Sequence, residues 1–252
     1  MKRYFLFILF IFFAPLISHA QDQKNTSAGD IVNYIPATFQ NLSFALWSMG
    51  AYSTDNDEAL DAYLQISNCP LFEAYKEDDF IWQNIREGLR REIDYFADEY
   101  PKRFYIDSLV AIDRYDFRKS AFLLERRFQF SDAGSIRFPF YDANAPFCGL
   151  DDYWKYFSMK MSFRSDIEFA FMEIPIPPNE ANALLKEIMQ YHYPSIRNSD
   201  RIVPIRFEIT VNGYELLDHN NIVFRGDMDR VIAYKDPART QPIWSRQFKI
   251  FE

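Results

Sequence analysis

Apolar positions along the chain change period near Pro101, recurring at helical spacing before it and alternating after it. Phe39, Leu42, Leu46 and Met49 repeat at intervals of 3, 4 and 3, which predicts an amphipathic helix with Pro36 in its first turn and Gly50 as its stop. A second helix is expected from an Asp55 N-cap, with Glu58 three residues on. Its apolar face is Leu60, Tyr63, Leu64 and Ile66, and Cys69-Pro70 breaks it. From Asp78-Asp79 onward, Ile81, Ile85, Leu89, Ile93, Phe96 and Tyr100 form one stripe, predicting a long third helix. Its other face carries Arg86, Glu87, Arg90, Arg91, Glu92 and Asp94 and is expected to be solvated, with i,i+4 pairs Glu87–Arg91 and Arg90–Asp94.

Beyond Pro101, Phe104, Ile106, Val110 and Ile112 share a parity, as do Phe122, Leu124, Phe128 and Phe130. A hairpin with a long turn over 113–119 is expected. Ile136, Phe138 and Phe140 predict a short strand, and Pro139 puts it at an edge. Phe157 to Phe163 and Ile167 to Ile176 read as a second hairpin turning at 164–166. Pro177-Pro178 then opens a crossover helix through Ala181, Leu184, Leu185, Ile188 and Tyr191 or His192. Val203 to Val211 alternates most clearly, and Asn212-Gly213 after it signals a tight turn. Ile222–Arg225, Asp229–Tyr234 and Ile243–Ile250 complete the strands. The predicted fold class is α+β, a helical N-terminal part followed by a mostly antiparallel β-rich part with one crossover helix. The expected division is a signal peptide at 1–20, a disordered lead at 21–29, the helical part at 30–100 and the β-rich part at 101–252.

The leader changes the picture most. Lys2 and Arg3 precede a run of 13 residues from Phe5 to Ile17, apolar apart from Pro15, and Ser18-His19-Ala20 offers small residues at a cleavage site. That pattern predicts cleavage before Gln21 and a periplasmic or secreted protein. No later stretch is apolar enough to span a bilayer. Loss of Lys2 and Arg3 takes the formal net charge from −8 to −10, which argues against a nucleic-acid partner. An oxidising compartment and an even count of two, each beside a turn former, predict a disulfide between Cys69 and Cys148.

Candidate chemistry is sparse. His192 and His219 are the only histidines after the leader, so a multi-His metal site is excluded. The 7 glycines are scattered singly, so no phosphate-cradling loop exists, and no cofactor is expected. No Gly-x-Ser-x-Gly elbow occurs. Carboxylates remain: Asp151-Asp152 lies beside rings, and Asp227-Met228-Asp229 would share one face if extended, as charge at a strand edge or turn. Phe, Tyr and Trp make up 18% of the chain, and Tyr141, Phe147, Tyr153, Trp154 and Tyr156 fall in a turn-rich stretch able to present rings to a ligand. The reading is a non-enzymatic binding or assembly module of the cell envelope for polypeptide or glycan. Its rival is a carboxylate-dependent hydrolase of envelope glycans using acids among Asp151, Asp152, Asp227 and Asp229.

Overall fold

A computed structural model describes residues 33–130, 135–137, 148, 160–191, 193, 201–218 and 221–248. Strand β1 (Ile35–Pro36) precedes helix α1 (Phe39–Ser48). Pro36 therefore sits in a strand rather than a first turn, and Thr38 caps the helix by accepting from the Asn41 amide at 3.2 Å. At the other end Gly50 adopts φ 72°, and the Gly50 and Ala51 amides donate to the Trp47 and Leu46 carbonyls at 3.0 Å each. This double bond closes the helix and needs a residue free to enter the left-handed region.

Helix α2 (Asp57–Ser67) is capped by Asn56 and not Asp55, since the Asn56 side chain accepts from the Glu58 and Ala59 amides. The shift leaves Asp57 and Glu58 in the first turn, where carboxylates complement the exposed N–H groups. Cys69-Pro70 opens a further helix, α3 (Cys69–Tyr75), which periodicity did not predict. Asn68 caps it, and Pro70 loses no hydrogen bond in a first turn.

Helix α4 (Asp79–Phe96) begins at an Asp78 cap. Its buried stripe is Trp82, Leu89 and Ile93 with Ile85 half-buried, while Ile81 and Phe96 are 40% and 41% exposed. Trp82 turns the helix this way: its ring meets Phe72 edge-on at 5.4 Å and its indole N–H donates to Asp61 at 3.2 Å. The supposedly solvated face is in part an ion-pair interface with α2. Arg86 reaches Asp61 with two nitrogens at 2.8 and 2.5 Å and Asp57 at 3.1 Å, and Arg90 also pairs with Asp57. Arg91 instead donates to the Glu87 backbone carbonyl at 3.2 Å, and Asp94 accepts from Thr54 at 3.0 Å.

The strands that follow are β2 (Arg103–Asp116), β3 (Ala121–Leu124), β4 (Ser135–Arg137), β5 (Lys160–Ser165), β6 (Glu173–Pro175), β7 (Ile202–Asp218), β8 (Asn221–Tyr234) and β9 (Pro242–Gln247), with helix α5 (Pro178–Ile188) between β6 and β7. They form one sheet in the order β4-β5-β8-β7-β2-β3-β6, with β1 added to β2 and β9 to β8. The β1–β2 and β5–β8 pairs are parallel and the rest antiparallel, so the fold is α+β with a mixed sheet. Phe104, Ile106, Val110, Phe207 and Ile209 face a core that also contains Leu46, Leu60, Leu64, Leu89, Ile93, Leu184 and Ile188 from the helices.

Three sheet expectations are corrected. The first hairpin turn is short, because β2 continues to Asp116 past a register shift after Ile112 and β3 begins at Ala121. The second hairpin does not form: β5 pairs with β4 and β8, and Phe171 bridges Phe130 before β6 joins β3. Asn212-Gly213 is no turn. It is a register shift inside the β7–β8 ladder, which continues to Asp218 and Asn221, so Ile222–Arg225 and Asp229–Tyr234 are one strand. Gly226 is required there, since a Cβ would lie 1.9 Å from the Thr210 carbonyl oxygen. Cys69 and Cys148 are joined by a disulfide with Cα atoms 5.2 Å apart. The predicted leader and lead, residues 138–140 and 157–159 of the predicted strands, His192 and His219 all lie outside the described residues.

Candidate binding groove

Among the described residues β6 pairs only with β3 and β9 only with β8, and just before β6 the side of Phe171 turned away from β3 is bonded to Phe130. Between them lies a cavity of about 340 Å3 lined by Lys119, Ala170, Phe171, Met172, Glu173, Pro175, Trp244, Ser245 and Arg246. Consecutive residues line it on both sides. Because successive side chains point to opposite faces of a strand, this lining follows backbone edges rather than one face of the sheet.

The ladders say which backbone groups turn into the groove. The Phe248 amide donates to the Asp229 carbonyl at 2.9 Å, so alternation turns Arg246 and Trp244 toward β8 and Ser245 outward. On the other side the Leu124 amide donates to the Met172 carbonyl at 2.8 Å, and Glu173 is turned outward by the same rule. Side chains add a specific floor. The Trp244 ring stacks on Phe171 at 5.5 Å with an 18° interplanar angle, and Met172 beside it is 46% exposed. Lys119 donates to Glu173 at 2.9 Å, and that hydrogen bond raises the Lys119 pKa above its ordinary value. Arg246 lies over Phe248 at 4.8 Å and has no carboxylate within ion-pair distance among the described residues.

The acidic candidates sit elsewhere. Asp227 and Asp229 do share a face, as read from the sequence, and they lie within β8 rather than at a turn, paired with β7 on one side in the interval where the β5 ladder ends at Gly226 and the β9 ladder begins at Arg230. Asp227 is in register with Thr210, and a register shift between Met228 and Arg230 brings Asp229 to the same side, away from the core that Ile209 and Met228 enter. The Asp229 carboxylate is 0% exposed and accepts from Thr210 at 2.6 Å and from the Tyr34 hydroxyl at 3.0 Å. Burial and then the Asp229 charge push the Tyr34 pKa well above its ordinary value. Glu208 on the same face is held by Arg230 at 2.7 Å. Among the described residues no three Asp, Glu, His or Cys converge as a metal site, and no helix is long and apolar enough to cross a membrane.

Asp151, Asp152, Tyr141, Phe147, Tyr153, Trp154 and Tyr156 lie outside the described residues. Sequence reading missed Trp244, Phe171, Met172, Lys119 and Arg246. The available signal was Pro242 at the start of a short apolar strand, a mark of an edge. Residues 55–187, more than half of the chain, match the family described as a domain of unknown function (DUF4852). That span supplies the β6 side of the groove, and β9 lies beyond it. No curated protein and no solved structure matches the chain.

Proposed function

Since the chain belongs to the DUF4852 family, we propose that it is an exported, non-enzymatic binding module of the cell envelope whose ligand is extended polypeptide. The observation that carries this reading is the β6–β9 groove, where two strands with one partner strand each among the described residues, an aromatic floor and the Arg246 guanidinium surround one cavity. A polypeptide can match alternating N–H and C=O groups along an edge, and side-chain pockets then confer selectivity. The leader pattern at Met1–Ala20 and the Cys69–Cys148 bridge support export, since disulfides persist in oxidising compartments. The described acids give the hydrolase reading no comparable support, because the Asp229 carboxylate is enclosed by Tyr34 and Thr210 rather than set at the floor of a cleft.

An array of peptides from envelope proteins, probed with the mature protein alongside soluble peptidoglycan fragments, tests the proposal. Selective peptide binding that Arg246→Glu abolishes is expected. Retention of the glycan fragments alone, or their cleavage, would contradict it. N-terminal sequencing of the exported chain checks the leader, with a start at Gln21 expected and a start at Met1 excluding cleavage.

A further inference from the structure

The open backbone groups and the side chains of the groove together specify a ligand geometry. Ser245 turns its backbone N–H and C=O away from β8 and Glu173 turns its own away from β3, while Phe171, on the same side as Glu173, is already bonded to Phe130, so an added strand meets that edge from Glu173 onward. Trp244 and Arg246 are two residues apart on β9 and therefore project to the same face. From these facts we infer that the groove accepts one added β-strand, inserted between the outer edges of β6 and β9, carrying an apolar side chain and a carboxylate two positions apart. The inference rests on the polypeptide-binding reading and states how that polypeptide is held.

The size of the cavity sets how much of the ligand it encloses. A strand within a sheet occupies roughly 4.8 Å across the ladder, about 10 Å through the face and about 3.3 Å per residue, or on the order of 160 Å3 for each residue. A cavity of about 340 Å3 therefore encloses about two of the three residues that carry one side chain against Trp244 and Phe171 and the next on that face to Arg246, and the rest of the ligand extends past the cavity. The open stretches are brief, since β9 begins at Pro242 and β6 ends at Pro175, and proline offers no N–H to a ladder. Short, proline-bounded edges resist pairing with another copy of the same chain, and the net charge of −8 adds repulsion between copies. Arg246 chooses the charge of the ligand: Lys119 is already engaged by Glu173, so Arg246 is the cation left to meet an incoming carboxylate.

The test is calorimetric titration of the mature protein with the capped heptapeptide Thr-Val-Thr-Glu-Thr-Val-Thr. Two further versions are methylated on alternate backbone nitrogens, one set for each peptide edge, and a third replaces Glu by Lys. Strand insertion uses both edges, so each methylated version should bind at least about tenfold more weakly than the parent. The Lys peptide should also weaken, and Arg246→Glu in the protein should restore it. Met172→Asp, at an exposed position, should weaken the parent peptide without unfolding the protein. Parent affinity unchanged by methylation would overturn strand insertion while leaving polypeptide binding intact. Weakening by one methylated version alone would overturn insertion between two edges. Binding of none of the peptides, together with an oligomer that Trp244→Ala dissolves, would assign the edges to a second copy and remove both proposals.

Discussion

The outer-face cluster around Asp229 and the groove between β6 and β9 are built from the same materials: a carboxylate, an arginine, an aromatic ring and a strand backbone. They differ in how far the fold itself engages those groups. In the cluster, Tyr34 and Thr210 both donate to Oδ2 of Asp229, and Glu208 is held by Arg230. In the groove, Ser245 and Glu173 present backbone groups outward and Arg246 has no ion pair among the described residues. A buried polar group is costly unless its partners are supplied by the fold, so the cluster serves stability. Groups that water satisfies in the free protein are the ones a ligand can engage.

The comparison yields a graded set of expectations. The largest is the loss of the bridge. Serine at both Cys69 and Cys148 should lower stability by about 4.5 kcal/mol in the chain-entropy account of a loop closed over a sequence separation of 79, read as a fall in denaturant midpoint. Next, Asp229→Ala should cost about 3 kcal/mol, because it leaves the Tyr34 and Thr210 hydroxyls without their acceptor. Peptide binding measured well below the melting temperature should survive it, and joint loss of both properties would break the separation between the two regions. Third is an alkaline effect. Burial, with hydrogen bonding to Tyr100, holds the Tyr63 pKa above its ordinary 10.0, and burial does the same for Tyr52. The unfolded chain therefore ionises first, so the stability these groups contribute is intact below pH 10 and drains as pH rises above it. For Tyr63 the slope approaches about 1.4 kcal/mol per pH unit. Denaturation curves from pH 8 to 11 check this, and a flat midpoint above pH 10 contradicts it. The smallest is Arg246→Ala, which should change stability by less than about 0.5 kcal/mol while reducing peptide affinity.

Periodicity made the helices and the division into helical and β-rich parts legible, because a buried stripe leaves its spacing in the sequence. It erred where one side chain overrode the spacing. Trp82, fixed by Asp61 and Phe72, rotates α4 and exposes Ile81, which fits the stripe equally well on spacing alone. The Asn212-Gly213 turn was misread because a register shift and a tight turn call for the same permissive residues, and only pairing across the ladder separates them. The Cys69–Cys148 pairing was legible from count and context. The groove was not, since it joins residues from Lys119 to Arg246 through edges that meet only once β6 has left β5 and crossed to β3. An open edge is a property of the missing neighbour, and no residue type records it.

Amide hydrogen exchange at Ser245 tests the account most directly, read against its strand neighbours Trp244 and Arg246. In the free protein the amides of Trp244 and Arg246, turned toward β8, should exchange slowly and that of Ser245 fast. Saturation with the heptapeptide should slow Ser245 to the level of its neighbours. Protection of Ser245 equal to theirs in the free protein, or fast exchange persisting at saturation, would mean that the edge is already filled or is not where the polypeptide binds.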